Sequence, residues 1–101
     1  MSMKSIAAIL PGVLRDLRLE DAAAGWRAVA EWPALAGERI AKRTRAVAFR
    51  DGVMTIEVEG SAWMHELNFL RREIVRRANQ RVGANVVREV RFVSARGGIQ
   101  R

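Results

Sequence analysis

The sequence has no cysteine and a single histidine among its 101 residues. The first absence excludes a disulfide framework, a thiolate metal site and a thiol nucleophile; the second excludes a multi-histidine metal centre. No apolar run approaches the roughly 18 to 20 residues that cross a bilayer. The N-terminal run Ile6-Ala7-Ala8-Ile9-Leu10, after Lys4, is cut off by Pro11-Gly12, and no export-type cleavage motif follows, so the expected setting is cytoplasmic. There is no GxxxxGK[ST] phosphate loop, no GxGxxG, and no serine or carboxylate cluster with a catalytic partner at useful spacing. These gaps argue against an enzyme, a metal site, a bound cofactor and a membrane partner.

What remains is a chain that is 50% apolar and 29% charged, the composition of a folded protein of one domain. Its net charge is +7, and 16 of its 18 cations are arginine. Such an excess favours polyanionic partners: DNA, RNA or an acidic protein surface.

Along the chain, residues 1–9 read as a loose lead-in and 10–94 as a single domain, with a frayed tail over 95–101. Leu10 to Leu17 suggests a short helix that starts near Pro11, where the missing N–H costs nothing. Asp21 is placed to cap a second helix from Ala22, with Trp26, Val29 and Ala30 buried, until Pro33 ends or kinks it. Leu35 to Lys42 adds a helical turn or two around Ile40. Arg45–Arg50 and Val53–Glu59 then form a hairpin about Asp51-Gly52, a pair suited to a turn with positive φ. Pairing Arg50 with Val53 sets Phe49 opposite Met54 and Val47 opposite Ile56, with Val58 on the same core face. Ser61 is placed to cap a long helix from Ala62 to about Arg81, stopped by Gly83. Val86 to Val93 reads as the last strand, Val90 and Phe92 inward. The order is α-α-β-β-α-β: an α+β domain whose three-stranded sheet is backed by helices.

On a helical wheel, Trp63, Leu67, Leu70, Ile74 and Ala78 form one stripe, widened by Met64, Val75 and Val82, that covers the sheet. Trp63 is therefore expected in the core. His65 and Glu66 point away from the stripe in different directions, so they do not make an acid–base pair. The outer face carries His65, Phe69, Arg72 and Arg76 at spacings of four, three and four. An exposed ring among guanidinium groups suits single-stranded nucleic acid, where rings stack on bases and arginines hold phosphates, and it suits a protein-binding hot spot equally; the plain alternative folds Phe69 under a chain end or into a dimer contact. Arg71 falls inside the apolar sector and is expected to reach an acid such as Glu31 or Asp16. Arg77, Arg81, Lys42, Arg43 and Arg45 complete a candidate basic flank.

Several stretches together resemble one family. These are Trp32-Pro33-Ala34-Leu35-Ala36-Gly37, Ile40-Ala41 with Thr44, Asp51-Gly52-Val53-Met54-Thr55-Ile56-Glu57-Val58, Ser61-Ala62-Trp63-Met64-His65-Glu66-Leu67 and Val90-Arg91-Phe92. In this order, from about Ile9 to Val93, they resemble the DciA family. The resemblance implies a KH-like domain acting in chromosome replication, as an operator or loader of the replicative DNA helicase with affinity for single-stranded DNA, without ATPase activity of its own and near the nucleoid. The chain has no pair of glycines at GxxG spacing, the clamp of RNA-binding KH domains. Many family members carry a long basic tail past the folded domain, and this chain stops soon after its last strand, so the resemblance implies either weaker binding or contacts through the folded surface alone. The expected contact residues are Phe69, Arg72 and Arg76, then Arg77, Arg81, Lys42, Arg43 and His65. A purely protein-binding adaptor and an RNA-binding KH-like module are the alternatives.

Overall fold

Asp51 and Gly52 both take positive φ, 51° and 84°, the backbone that a two-residue hairpin turn with the right twist demands. In the computed structural model, which describes residues 19–95, this turn joins β1 (Thr44–Arg50) to β2 (Val53–Val58). A third strand, β3 (Glu89–Ser94), runs parallel to β2, giving a mixed sheet in the order β1-β2-β3. Next to the turn the register is as the pattern predicts, with Arg50 opposite Val53 and Phe49 opposite Met54. Farther along it shifts: Ala48 faces Thr55 and Ala46 faces Ile56, so Val47 sits in a bulge and not opposite Ile56. The extra residue returns β1 to register with its inward side chains. On β2 the alternation is complete, with Met54, Ile56 and Val58 buried and Val53, Thr55 and Glu57 half-exposed on the other face.

The expected lead-in, the helix over Leu10–Leu17 and all of the tail but Ala95 lie outside the described residues. Residues 19–30 form a helix, α1. Since Leu19 and Glu20 are already helical, Asp21 lies within the helix and is not its cap. The expected burial of Trp26 and Ala30 is also reversed, for Trp26 is 49% exposed. The core face consists of Ala24, Gly25 and Ala28, small residues that bring α1 down onto the sheet. A Cβ at Gly25 would run into the Phe49 ring, so no larger side chain fits this approach.

Trp32 takes the buried position that Trp26 does not. It opens α2 (Trp32–Ala36), with Pro33 in the first turn and a break at Glu31, and Gly37 then separates α2 from α3 (Glu38–Ala41). Trp32 is 1% exposed; its Nε1 donates to Thr44 Oγ1 at 2.8 Å, and that hydroxyl donates to Ile40 O at 2.7 Å.

The predicted long helix is two helices, α4 (Ser61–Asn68) and α5 (Arg71–Val82). At the junction the Phe69 and Leu70 amides bond back three residues, to Glu66 O and Leu67 O, instead of four. The Asn68 side chain stabilises the break, donating to Met64 O and accepting from Arg71 Nε. Ser61 is not the cap either. Gly60, at φ 94°, turns the chain straight out of β2, and its carbonyl accepts the first helical bond, from Met64 N. Gly83 does end α5, in the left-handed conformation. The stripe largely keeps its role: Leu67, Ile74 and Ala78 are buried, with Met64, Leu70, Val75 and Val82 packed at the margin. Trp63, expected in the core, is only half-buried there, and Arg39 stacks on its ring at 5.0 Å.

β3 begins at Glu89 rather than Val86. Asn79 Oδ1 accepts from the amides of both Val86 and Val87, and Asn79 Nδ2 donates to Val87 O. With their polar groups so committed, Val86 and Val87 are buried as a loop, and pairing starts where Arg88 N and Glu89 N reach Gly52 O.

Candidate nucleic-acid and partner interface

Phe69 ends α4 at the two-helix junction and is 78% exposed. His65, one turn earlier, meets it edge-on, with ring centroids 5.3 Å apart and planes at 85°. An apolar ring so exposed contributes little to the core, yet the contact with His65 limits its motion, which favours stacking by a flat ligand.

Arg71 and Arg72 follow in the first turn of α5, the end of a helix where the dipole disfavours cations and attracts anions. Arg71 is structural, and among the described residues it meets no acid; Asp16, one of its two expected partners, lies outside them. Arg71 Nη1 donates to Val90 O at 3.0 Å and its guanidinium lies 5.2 Å from the Phe92 ring centroid, tying α5 to β3. Its Nε donates to Asn68 Oδ1 at 2.8 Å, so both bonds hold it at the helix start. Glu31, its other expected partner, pairs with Arg81 instead, at 2.8 Å. Arg72 is exposed and has no carboxylate at ion-pair distance among the described residues.

The other predicted contact cations, Arg76, Arg77, Arg81, Lys42 and Arg43, all have carboxylate partners. Arg76 and Arg77 share Glu73, at 2.6 and 3.0 Å; Lys42 lies 3.6 Å from Glu38, and Arg43 lies 2.8 Å from Glu59. Hydrogen bonds from Arg76, and then from Arg77, lower the pKa of Glu73 from 4.5 to about 2, and Glu73 in turn raises that of Arg76. All these pairs are solvent-exposed, so water and salt screen them and an incoming phosphate can exchange with the carboxylate.

The fold distributes the predicted cations, Arg76 apart, over three shallow depressions. Arg72 lines a groove between α5 and the start of β3 with Arg71, Val75, Arg88, Glu89 and Val90. Arg77 and Arg81 lie against α2, beside Ala34 and Leu35. Lys42 and Arg43 gather with Glu38, Arg39 and Trp63. A cleft between α2–α3 and α5, which includes both Arg39 and Arg77, links the last two.

Two cations at these sites escaped the sequence reading. Arg88 reaches the first groove from the loop before β3 and donates to Asp51 O. Nothing local distinguishes it from other arginines, since its placement depends on the parallel pairing of β3 with β2. Arg39 could have been found: it lies three residues before Lys42, so a helical reading of 35–42 puts the two on one face.

Among the described residues no helix is long and apolar enough to cross a membrane. The sequence profile of the family described as "Dna[CI] antecedent, DciA" matches residues 5–92. A UPF0232 protein of Corynebacterium glutamicum (strain R) is 32% identical over 73 residues, covering 72% of this chain and 40% of that protein. A UPF0232 protein of Mycobacterium tuberculosis (strain ATCC 25618 / H37Rv) is 31% identical over 62 residues, covering 61% of this chain and 33% of the relative. One of Mycolicibacterium smegmatis (strain ATCC 700084 / mc(2)155) is 28% identical over 80 residues, 72% of this chain and 41% of the relative. The chain thus spans less than half the length of these curated relatives.

Proposed function

The chain belongs to the DciA family, and on that premise we propose that it is a non-enzymatic accessory domain of DNA replication that contacts single-stranded DNA and the replicative DNA helicase and assists helicase loading. The observation that carries the DNA half is the 78% exposure of Phe69, three residues before Arg72, which has no ion-pair partner among the described residues. A base stacks on the ring while Arg72 and Arg88 hold flanking phosphates in the groove. Arg76, Arg77, Arg81, Lys42 and Arg43 extend the contact by exchanging carboxylates for phosphates, and His65 orients the ring. The succession β2-α4-α5-β3, two helices between parallel neighbouring strands, supports a KH-like reading. Without GxxG, the ring and groove take the role of the clamp. The expected setting is the cytoplasm, at the nucleoid.

Fluorescence anisotropy of a labelled single strand at two salt concentrations tests this. Binding is expected at low salt and should fall steeply as salt rises. Arg72→Glu should weaken it about tenfold and reduce the salt slope by about 1. No binding at low salt, or binding unchanged in the double variant Arg72→Glu/Arg76→Glu, removes the DNA half.

One observation favours the adaptor reading as a second choice. The carboxylates interspersed among Arg39, Lys42, Arg43, Arg76, Arg77 and Arg81 make a mosaic of both signs, which suits a protein surface better than a continuous phosphate track. Helicase binding without a DNA shift would select it.

A further inference from the structure

Leu19 and Trp26 lie two helical turns apart on α1 and are 61% and 49% exposed. Ala23 and Ala30 lie on the same face and are exposed too, with Ala22 half-buried at its margin. The opposite face, Ala24, Gly25 and Ala28, is the one that packs on the sheet. α1 therefore carries two apolar faces, and only one is used among the described residues.

We propose that the outer face of α1 is a contact between two copies of this chain, with the two α1 helices antiparallel about a two-fold axis near Ala23. The alanines leave room for helices to approach to about 8–10 Å. Trp26 of each copy then covers Leu19 and Ala22 of the other, filling the space over the small residues.

Charge sets the direction. Glu20 and Arg27, seven residues apart, flank the same side of the stripe. Glu20 has no ion-pair partner among the described residues, and the hydrogen bond recorded for Arg27, from Nη2 to Val82 O at 3.2 Å, leaves donors free. In an antiparallel pair like flanks face each other, so Glu20 of one copy meets Arg27 of the other, twice by symmetry. A parallel pair would set unlike flanks against each other, so Glu20 and Arg27 would find no opposite charge from this flank across the contact.

Sedimentation equilibrium of the 101-residue chain at high micromolar concentration is the test. The expected mass approaches twice the 11.3 kDa of the chain. Trp26→Ala should raise the dissociation constant by ~10-fold or more, as loss of a central aromatic anchor does, with the far-ultraviolet circular dichroism unchanged. Glu20→Arg and Arg27→Glu should each shift the equilibrium to monomer, and the double exchange should restore the dimer. A wild-type chain monomeric at every concentration overturns the proposal, whether residues before 19 or another protein cover the stripe. A dimer indifferent to Trp26→Ala, or not restored by the double exchange, overturns it as well.

Discussion

The relay Trp32 Nε1 to Thr44 Oγ1 to Ile40 O joins α2, α3 and β1 inside the core, and Thr44 is the one buried polar residue among those described. Its hydroxyl serves as acceptor and donor at once, so Thr44→Val nearly preserves shape while stranding the indole N–H. The expected loss of stability is about 1–3 kcal/mol, measured by urea unfolding; Thr44→Ser should lose much less, because it keeps the hydroxyl. The roles of the two tryptophans flanking this region were not legible in the sequence. Trp26 and Trp32 are six residues apart, and a wheel can bury either one depending on where the helix begins and breaks. Asp21 suggested a start that the helix already precedes, and this misplaced the buried face. Phe69 was legible, because its place opposite Leu67, Ile74 and Ala78 survives the helix break.

Elements end here where side chains take over backbone hydrogen bonds. Asn79 binds both ends of the Val86–Val87 peptide segment, receiving two amides and donating to one carbonyl. A valine-rich run that reads as strand is thereby kept as a buried loop, and β3 starts three residues late. Asn79→Ala should cost about 2–3 kcal/mol, since two amides lose their acceptor in a partly buried setting. Hydrogen exchange should show the Val86 and Val87 amides as the first to lose protection; unchanged exchange there would contradict this role. The Asp51-Gly52 turn and the Gly83 stop were legible, since positive φ leaves a residue-type signature. The α4–α5 break was not. It contains neither proline nor glycine, and it rests on Asn68 and on Arg71 reaching β3, a contact far away in sequence.

For the whole molecule the net charge of +7 pointed to polyanions, and the structure shows how that charge is distributed. Outside residues 19–95 lie Lys4, Arg15, Arg18, Arg96 and Arg101 against Asp16 alone, so more than half of the excess belongs to the ends of the chain. The described surface is nearer balance, most of its cations interleaved with acids, and Arg72 and Arg91 are exposed without an ion-pair partner among the described residues. Long-range attraction to a polyanion is thus not confined to the face that makes specific contacts. The α+β class and three strands were legible as periodicity; the parallel β2–β3 pairing and the three-way division of the basic residues were not, because both depend on how distant segments meet. The proposed role in DNA replication depends on the replicative helicase as the proposed partner. The most direct test mixes the purified 101-residue chain with the replicative helicase of its own host after nuclease treatment and follows both by size-exclusion chromatography. The account predicts co-elution at low salt that weakens as salt rises; separate elution of two folded proteins at low salt would contradict it.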